Sequence, residues 1–176
     1  SFTGLRIGMA TAKGLCFALD KPLYAVSSLA ALALGALPHG STRAGDDAGA
    51  PVLACLDALR GEVFLGVFAR RGNIVAPLSA EVVLAPSAVA GYLARNAGAW
   101  AHERLGVVGN GAERYETIAA DWGTRLGDVP QIPAAAQVAA LAAARDAGDN
   151  VASVVPRYIR LSEAEYHLAA TGTKQT

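Results

Sequence analysis

The sequence predicts an α/β fold in which a mixed sheet is flanked by helices, and three observations carry that expectation. Two apolar runs, residues 51–57 (PVLACLD) and 62–69 (EVFLGVFA), flank a turn at residues 58–61 and read as a β-hairpin. Both runs are apolar at nearly every position, so both faces of their sheet must be covered, which helices can do. Around the hairpin, further short apolar runs alternate with helical segments, the order of an α/β domain.

Residues 1–19 read as a helix: Ser1 is a capping type, and Leu5, Met9, Ala12, Cys16 and Leu19 recur at three- and four-residue spacing. Gly4, Gly8 and Gly14 interrupt it, each at a cost of about 1 kcal/mol against alanine. Close approach to a second helix would offset that cost. Pro22 ends the segment. Residues 23–26 are short enough for a strand, and Ser27 or Ser28 then caps a second helix running to about Leu37. Residues 38–50 collect Gly, Pro, Ser and Asp without periodicity and read as a linker.

Past the hairpin, residues 71–73 form the next turn, with short strands near Ile74 and over 81–84. Pro86 opens a helix through about Ala97, proline being favoured in a first helical turn. Residues 105–108 read as a buried strand, followed by Gly109-Asn110-Gly111 and a helix through about Trp122. Pro133 begins another helix, with Val138 and Leu141 on its apolar face and Gly148 as its stop. No internal repeat or heptad pattern is visible.

Composition narrows the function classes. At 53% hydrophobic and 17% charged, the 176-residue chain can build a sizeable core. Its formal net charge is zero, so there is no global pull toward nucleic acid or anionic lipid, and any RNA contact is expected through a partner. Cys16 and Cys55 both sit in apolar runs and read as small hydrophobic thiols. Two cysteines make no disulfide framework, which suits a reducing cytoplasm. The opening residues carry no signal-peptide pattern, and no apolar run approaches the roughly 20 residues of a membrane span, so no membrane association is expected.

Candidate chemistry is sparse. Gly109-Asn110-Gly111, between a strand and a helix, is a place where a phosphate could sit. The dinucleotide pattern, however, would want a third glycine where Arg114 stands, and a tight turn is the simpler reading. Asp57, Arg60 and Glu62 surround the hairpin turn. Paired carboxylates can do acid–base work, but a solvated turn in which Arg60 offsets its neighbours serves equally well. His39, His102 and His167 are far apart, each without a helical His or Glu partner. No Gly-x-Ser-x-Gly elbow or His-Glu-x-x-His helix is present.

Four collinear segments resemble a known family. Residues 1–8 (SFTGLRIG) followed by 10–15 (ATAKGL), residues 22–29 (PLYAVSSL), the hairpin VLACLDALRGEVF at 52–64, and PRYIR at 156–160 match, in order, the motifs of the TsaB (YeaZ) proteins. The family-motif positions are Ser1, Phe2, Thr3, Gly4, Asp57, Arg60, Gly61, Glu62, Pro156, Tyr158 and Arg160. The resemblance implies an actin-like (ASKHA, ribonuclease H-like) lobe. The family opens with a strand carrying an Asp-Thr phosphate-loop motif, a hairpin and a helix, which are not matched here. The first lobe is therefore expected to be incomplete: residues 1–50 as its remnant plus linker, 51–162 as the second lobe, and 163–176 as a disordered tail.

The resemblance also implies a role. It points to a cytoplasmic, non-catalytic scaffold subunit that supports TsaD in threonylcarbamoylating a tRNA adenosine beside the anticodon. TsaE would be a further partner, homodimerisation is possible, and tRNA would be met only indirectly. No catalytic residue, cofactor or metal is expected. TsaD itself holds its metal with two histidines one helical turn apart, a spacing that this sequence lacks. The competing readings are a peptidase of the M22 type and an actin-like nucleotide-binding phosphotransferase. Within the family, first-lobe helices pack against TsaD or a second TsaB, and the matching positions here are Leu5, Met9, Ala12 and Cys16, with Arg6 and Lys13 placed to pair with acidic groups across such an interface; the alternative is that this stripe faces the chain's own sheet. Several apolar groups of residues 1–37 are expected to be exposed.

Overall fold

The computed structural model describes residues 2–37, 50–71, 74–100, 104–120 and 122–160. In chain order its elements are helices α1 (Phe2–Ala18) and α2 (Ser28–Ala36), strands β1 (Val52–Leu59), β2 (Glu62–Arg71), β3 (Ile74–Pro77) and β4 (Val82–Leu84), helix α3 (Pro86–Asn96), strand β5 (Leu105–Val108), short helices α4 (Asn110–Arg114) and α5 (Thr117–Ala120), strand β6 (Gly123–Arg125) and helix α6 (Ala135–Ala143).

The expected hairpin is the centre of the sheet. β1 and β2 pair antiparallel from Val52–Phe68 to Leu59–Glu62, with a register shift after Asp57. Arg60 and Gly61, at φ +55° and +78°, make the two-residue turn, both in the left-handed region that a type I′ hairpin needs. Among the described residues the strand order is β3-β2-β1-β5-β6, with β4 also on β2. β5 and β6 continue the sheet in parallel, so it is mixed as expected.

The nearly unbroken apolarity of β1 and β2 is explained by a core on each face. One face buries Leu53, Val63, Leu65 and Val67 beneath Val89 and Leu93 of α3 and Ile118 of α5. The other buries Val52, Ala54, Phe68 and Val108 beneath Leu29, Leu32 and Ala33 of α2. Ser27 caps α2, its hydroxyl oxygen accepting from the Ala30 amide at 3.1 Å.

Three expectations change. Residues 23–26 form no strand: Leu23 makes one isolated bridge to Asp149, and the Ala25 amide donates to the Asp149 carboxylate instead of to a strand carbonyl. The helix expected through Trp122 breaks at Tyr115 into α4 and α5, and three residues after it become β6; a strand that short shows no period. α6 stops at Ala143, well before Gly148. The exposure expected of several apolar groups among residues 1–37 is found, on α1 and at Leu19, while α2 lies in the core. The expected linker falls almost wholly, and the tail wholly, outside the described residues.

Asp149 fastens the crossing from α1 to α2. Its carboxylate accepts from Arg145 Nη1 and Nη2 at 2.8 and 2.7 Å and from the Ala25 amide at 2.7 Å. Those bonds, Arg145 first, hold its carboxyl down at about 2. A carboxyl lowered on folding stabilises fully above its unfolded value near 3.9, and that stabilisation is lost as pH falls through the folded value. Asp149→Asn is therefore expected to be less stable than the parent chain at pH 6, with the gap closing toward pH 2. Urea midpoints of both proteins across that range check it.

Candidate functional site: the exposed helix and the hairpin end

α1 is long, regular and almost uncovered. Leu5, Ile7, Leu15, Phe17 and Leu19 are 48–84% exposed, large apolar side chains left in water. At about 100° per residue, Leu5, Ile7, Ala12 and Leu15, with Leu19 in the turn just past the helix, fall within roughly 160° of arc, one face, while Phe17 stands on the far side. The adjoining face meets the chain's own C-terminal segment. There Arg6 Nε donates to the Tyr158 hydroxyl at 3.0 Å and Lys13 Nζ to the Ala152 carbonyl at 3.3 Å. Arg6, Met9 and Lys13 line one side of a crevice of about 340 Å³ whose other side is Val154, Val155, Pro156 and Tyr158. Cys16 is half-buried, its thiol 3.7 Å from the Pro22 carbonyl. Of the six positions expected at the partner interface, Arg6, Met9 and Lys13 thus meet this crevice, Ala12 and Cys16 are half-buried, and Leu5 is open to solvent. Thr3 and Gly4 are exposed on the first turn, and Phe2 begins the helix. Ser1 lies outside the described residues.

The PRYIR segment ties this helix to the hairpin. While Tyr158 meets Arg6, Arg160 forms an ion pair with Glu62 and lies 5.5 Å from the centre of the Phe64 ring. Arg157 reaches Glu81 at 3.5 Å. Sequence reasoning placed these motif residues separately; the pairing joins positions too far apart in the chain for local patterning to reveal.

At the hairpin end, Asp57 Oδ2 accepts from Arg114 Nη1 at 2.8 Å, and Oδ1 accepts from the Leu59 amide at 2.9 Å. Both carboxylates beside the turn therefore have cation partners from outside the hairpin: Arg114 for Asp57 and Arg160 for Glu62. Arg60 and Gly61 form the turn itself. The arrangement is that of a fastened turn.

The Gly109-Asn110-Gly111 turn is likewise filled. The Gly109 amide donates to Gln131 Oε1 and the Asn110 amide to the Gln131 carbonyl, both at 2.9 Å, while Asn110 Oδ1 accepts from the Asp57 amide at 3.0 Å. Two amides that a phosphate would use are thus already occupied. Gly109 sits at φ +115°, and a Cβ there would lie 2.0 Å from the Cys55 carbonyl oxygen, so glycine serves close strand packing.

Burial, with a smaller contribution from the Asp57 charge, pushes the Cys55 thiol up to about 12, keeping it neutral in the core. Among the described residues no three His, Cys, Asp or Glu side chains gather where they could hold a metal, and no helix is long and apolar enough to cross a membrane. All three histidines lie outside the described residues.

Comparisons with known proteins place the chain among a set of relatives. The sequence model of the family described as "TsaD: tRNA N6-adenosine threonylcarbamoyltransferase" matches residues 1–174. The tRNA threonylcarbamoyladenosine biosynthesis protein TsaB of Escherichia coli (strain K12) is 34% identical over 130 residues, 73% of this chain and 51% of that protein. This chain thus spans about half the length of that curated relative. Two solved structures from Pseudomonas aeruginosa align at 30% identity. One, an uncharacterized protein with similarity to peptidase YEAZ, has a TM-score of 0.69 and aligns with 91% of this chain and 69% of its own. The other, YeaZ, has a TM-score of 0.68 and aligns with 90% of this chain and 68% of its own.

Proposed function

The chain belongs to the TsaD family in its TsaB (YeaZ) branch, with the α/β, actin-like fold of that branch, and from that premise we propose that it is a non-catalytic scaffold subunit in tRNA threonylcarbamoyladenosine biosynthesis. Its partner is TsaD, and the contact is made by α1. The observation that carries this reading is the face of Leu5, Ile7, Ala12, Leu15 and Leu19: a 17-residue helix whose large apolar groups stand in water while its neighbouring face is fastened by Arg6 and Lys13.

Water disfavours such a face. Moving one exposed leucine-sized side chain out of water contributes about 1.5–3 kcal/mol, so covering several of them outweighs many surface ion pairs. A facing helix from TsaD covers them by ridge-and-groove packing, and Gly8 and Gly14, where a Cβ would meet nothing within 4 Å, keep that surface low. The Arg6–Tyr158 bond and the Arg160–Glu62 pair set the direction in which the helix is presented.

The chain's own chemistry supports a non-catalytic role. Both hairpin carboxylates are engaged by arginines, the glycine turn is occupied by Gln131, and no two histidines stand one helical turn apart in the sequence. Its work in the cytoplasm is to hold TsaD in an active conformation, with TsaE joining the assembly and tRNA met through these partners.

Threonylcarbamoyl transfer to tRNA adenosine by TsaD, with the other pathway proteins present, is expected to rise when this chain is added. The chain by itself is expected to give no turnover. Unchanged transfer despite demonstrated binding, or turnover by the isolated chain, overturns the scaffold reading.

A further inference from the structure

An open groove of about 700 Å³ runs between α2 and α6, away from both the exposed face of α1 and the hairpin turn. Its volume is that of a small-molecule site. Leu34, Val75 and Leu141 give it apolar walls, with Ser27 at one side and Arg70 of β2 reaching in from the sheet.

The charges in this groove do not balance. Arg145 and Asp149 satisfy one another through two hydrogen bonds, and Asp149 also accepts from the Ala25 amide. Arg70 has no such counterpart. It is half-buried, its Nε is shut off from water without a hydrogen-bond partner, and among the described residues no carboxylate pairs with it. A partly desolvated guanidinium ordinarily keeps an acid beside it, because the unpaired charge is costly. Among the described residues, the groove therefore carries one uncompensated positive charge beside its hydrocarbon walls. Ser27 accepts from the Ala30 amide through its oxygen, which leaves its hydroxyl proton to donate.

We propose that this groove binds a small apolar monocarboxylate, its carboxylate on the Arg70 guanidinium and its hydrocarbon body against Leu34, Val75 and Leu141. One negative charge neutralises the groove, whereas a phosphate dianion would overshoot it and leave the apolar walls unused. A planar carboxylate also matches the arginine fork, which an ammonium cannot reproduce. The proposal is independent of the scaffold role, since it uses neither α1 nor the hairpin.

Octanoate titrated into the methyl-labelled full chain tests it by NMR. The Leu34, Val75 and Leu141 methyl signals are expected to shift and saturate. Octanol, the same hydrocarbon without the charge, is expected to bind at least tenfold more weakly, and this comparison needs no altered protein. R70Q is expected to weaken octanoate binding at least tenfold, and R70K, which keeps the charge without the fork, at least threefold, with circular dichroism confirming that both are folded. Shifts that fail to saturate, shifts confined to α1, equal binding of octanol, or equal binding by folded R70Q overturns the proposal.

Discussion

Gly109→Ala is expected to destabilise the fold by about 3–5 kcal/mol and to lower the thermal midpoint by about 10 °C or more. The added methyl would stand 2.0 Å from the Cys55 carbonyl oxygen, 2.9 Å from its carbon and 2.8 Å from Leu32 Cδ2. None of these gives way cheaply. The carbonyl belongs to β1, at the core of the sheet, and Leu32 is fully packed beneath it. The backbone at φ +115° disfavours any side chain in addition. Relief requires β1 and β5 to separate just where they pair in parallel through Ala54 and Val108. Gly127→Ala, where a Cβ meets nothing within 4 Å, is the control and is expected to change stability by no more than about 0.5 kcal/mol. Thermal and urea unfolding of the two variants beside the parent chain give the comparison.

Leu5→Asp combined with Leu15→Asp is expected to weaken binding to TsaD at least about 100-fold, a loss of roughly 2.7 kcal/mol or more. Both side chains are about half exposed in the chain alone, so the double variant is expected to keep its circular dichroism and its unfolding midpoint. In the complex, two leucines would leave an apolar interface and two carboxylates would enter it without partners, a cost that surface ion pairs cannot offset. Tyr158→Phe makes the useful contrast. It removes the hydroxyl that receives Arg6 Nε but none of the exposed face, and it is expected to reduce affinity far less. Titration calorimetry separates the two outcomes.

What the sequence made legible follows physical range. The hairpin was readable because its signal is local: two apolar runs and a turn ending in Gly61. α2 was readable from Ser27 and the alanine–leucine run behind it. β6 was not, since Gly123–Arg125 is too short to show a period and is defined only by lying beside β5. The linker between α1 and α2 was misread as a strand because its amide partner is the side chain of Asp149, more than a hundred residues later. The site divides in the same way. That α1 carries apolar groups at helical spacing was visible, but which face is covered was not. Tyr158 and Ala152 decide that, and they come from the far end of the described chain. Likewise Asp57 and Glu62 were visible as a pair of carboxylates, while Arg114 and Arg160, which fasten them, were not. Gln131, which fills the glycine turn, gives no local signal at all.

Hydrogen–deuterium exchange of the chain with and without TsaD addresses the docking of α1 most directly. In the chain alone, the amides of Phe2–Ala18 are expected to exchange much faster than those of β1 and β2, because few buried contacts hold that helix. On addition of TsaD they are expected to slow at least tenfold. An α1 that exchanges at the same rate inside a complex that has demonstrably formed would contradict its role as the docking surface.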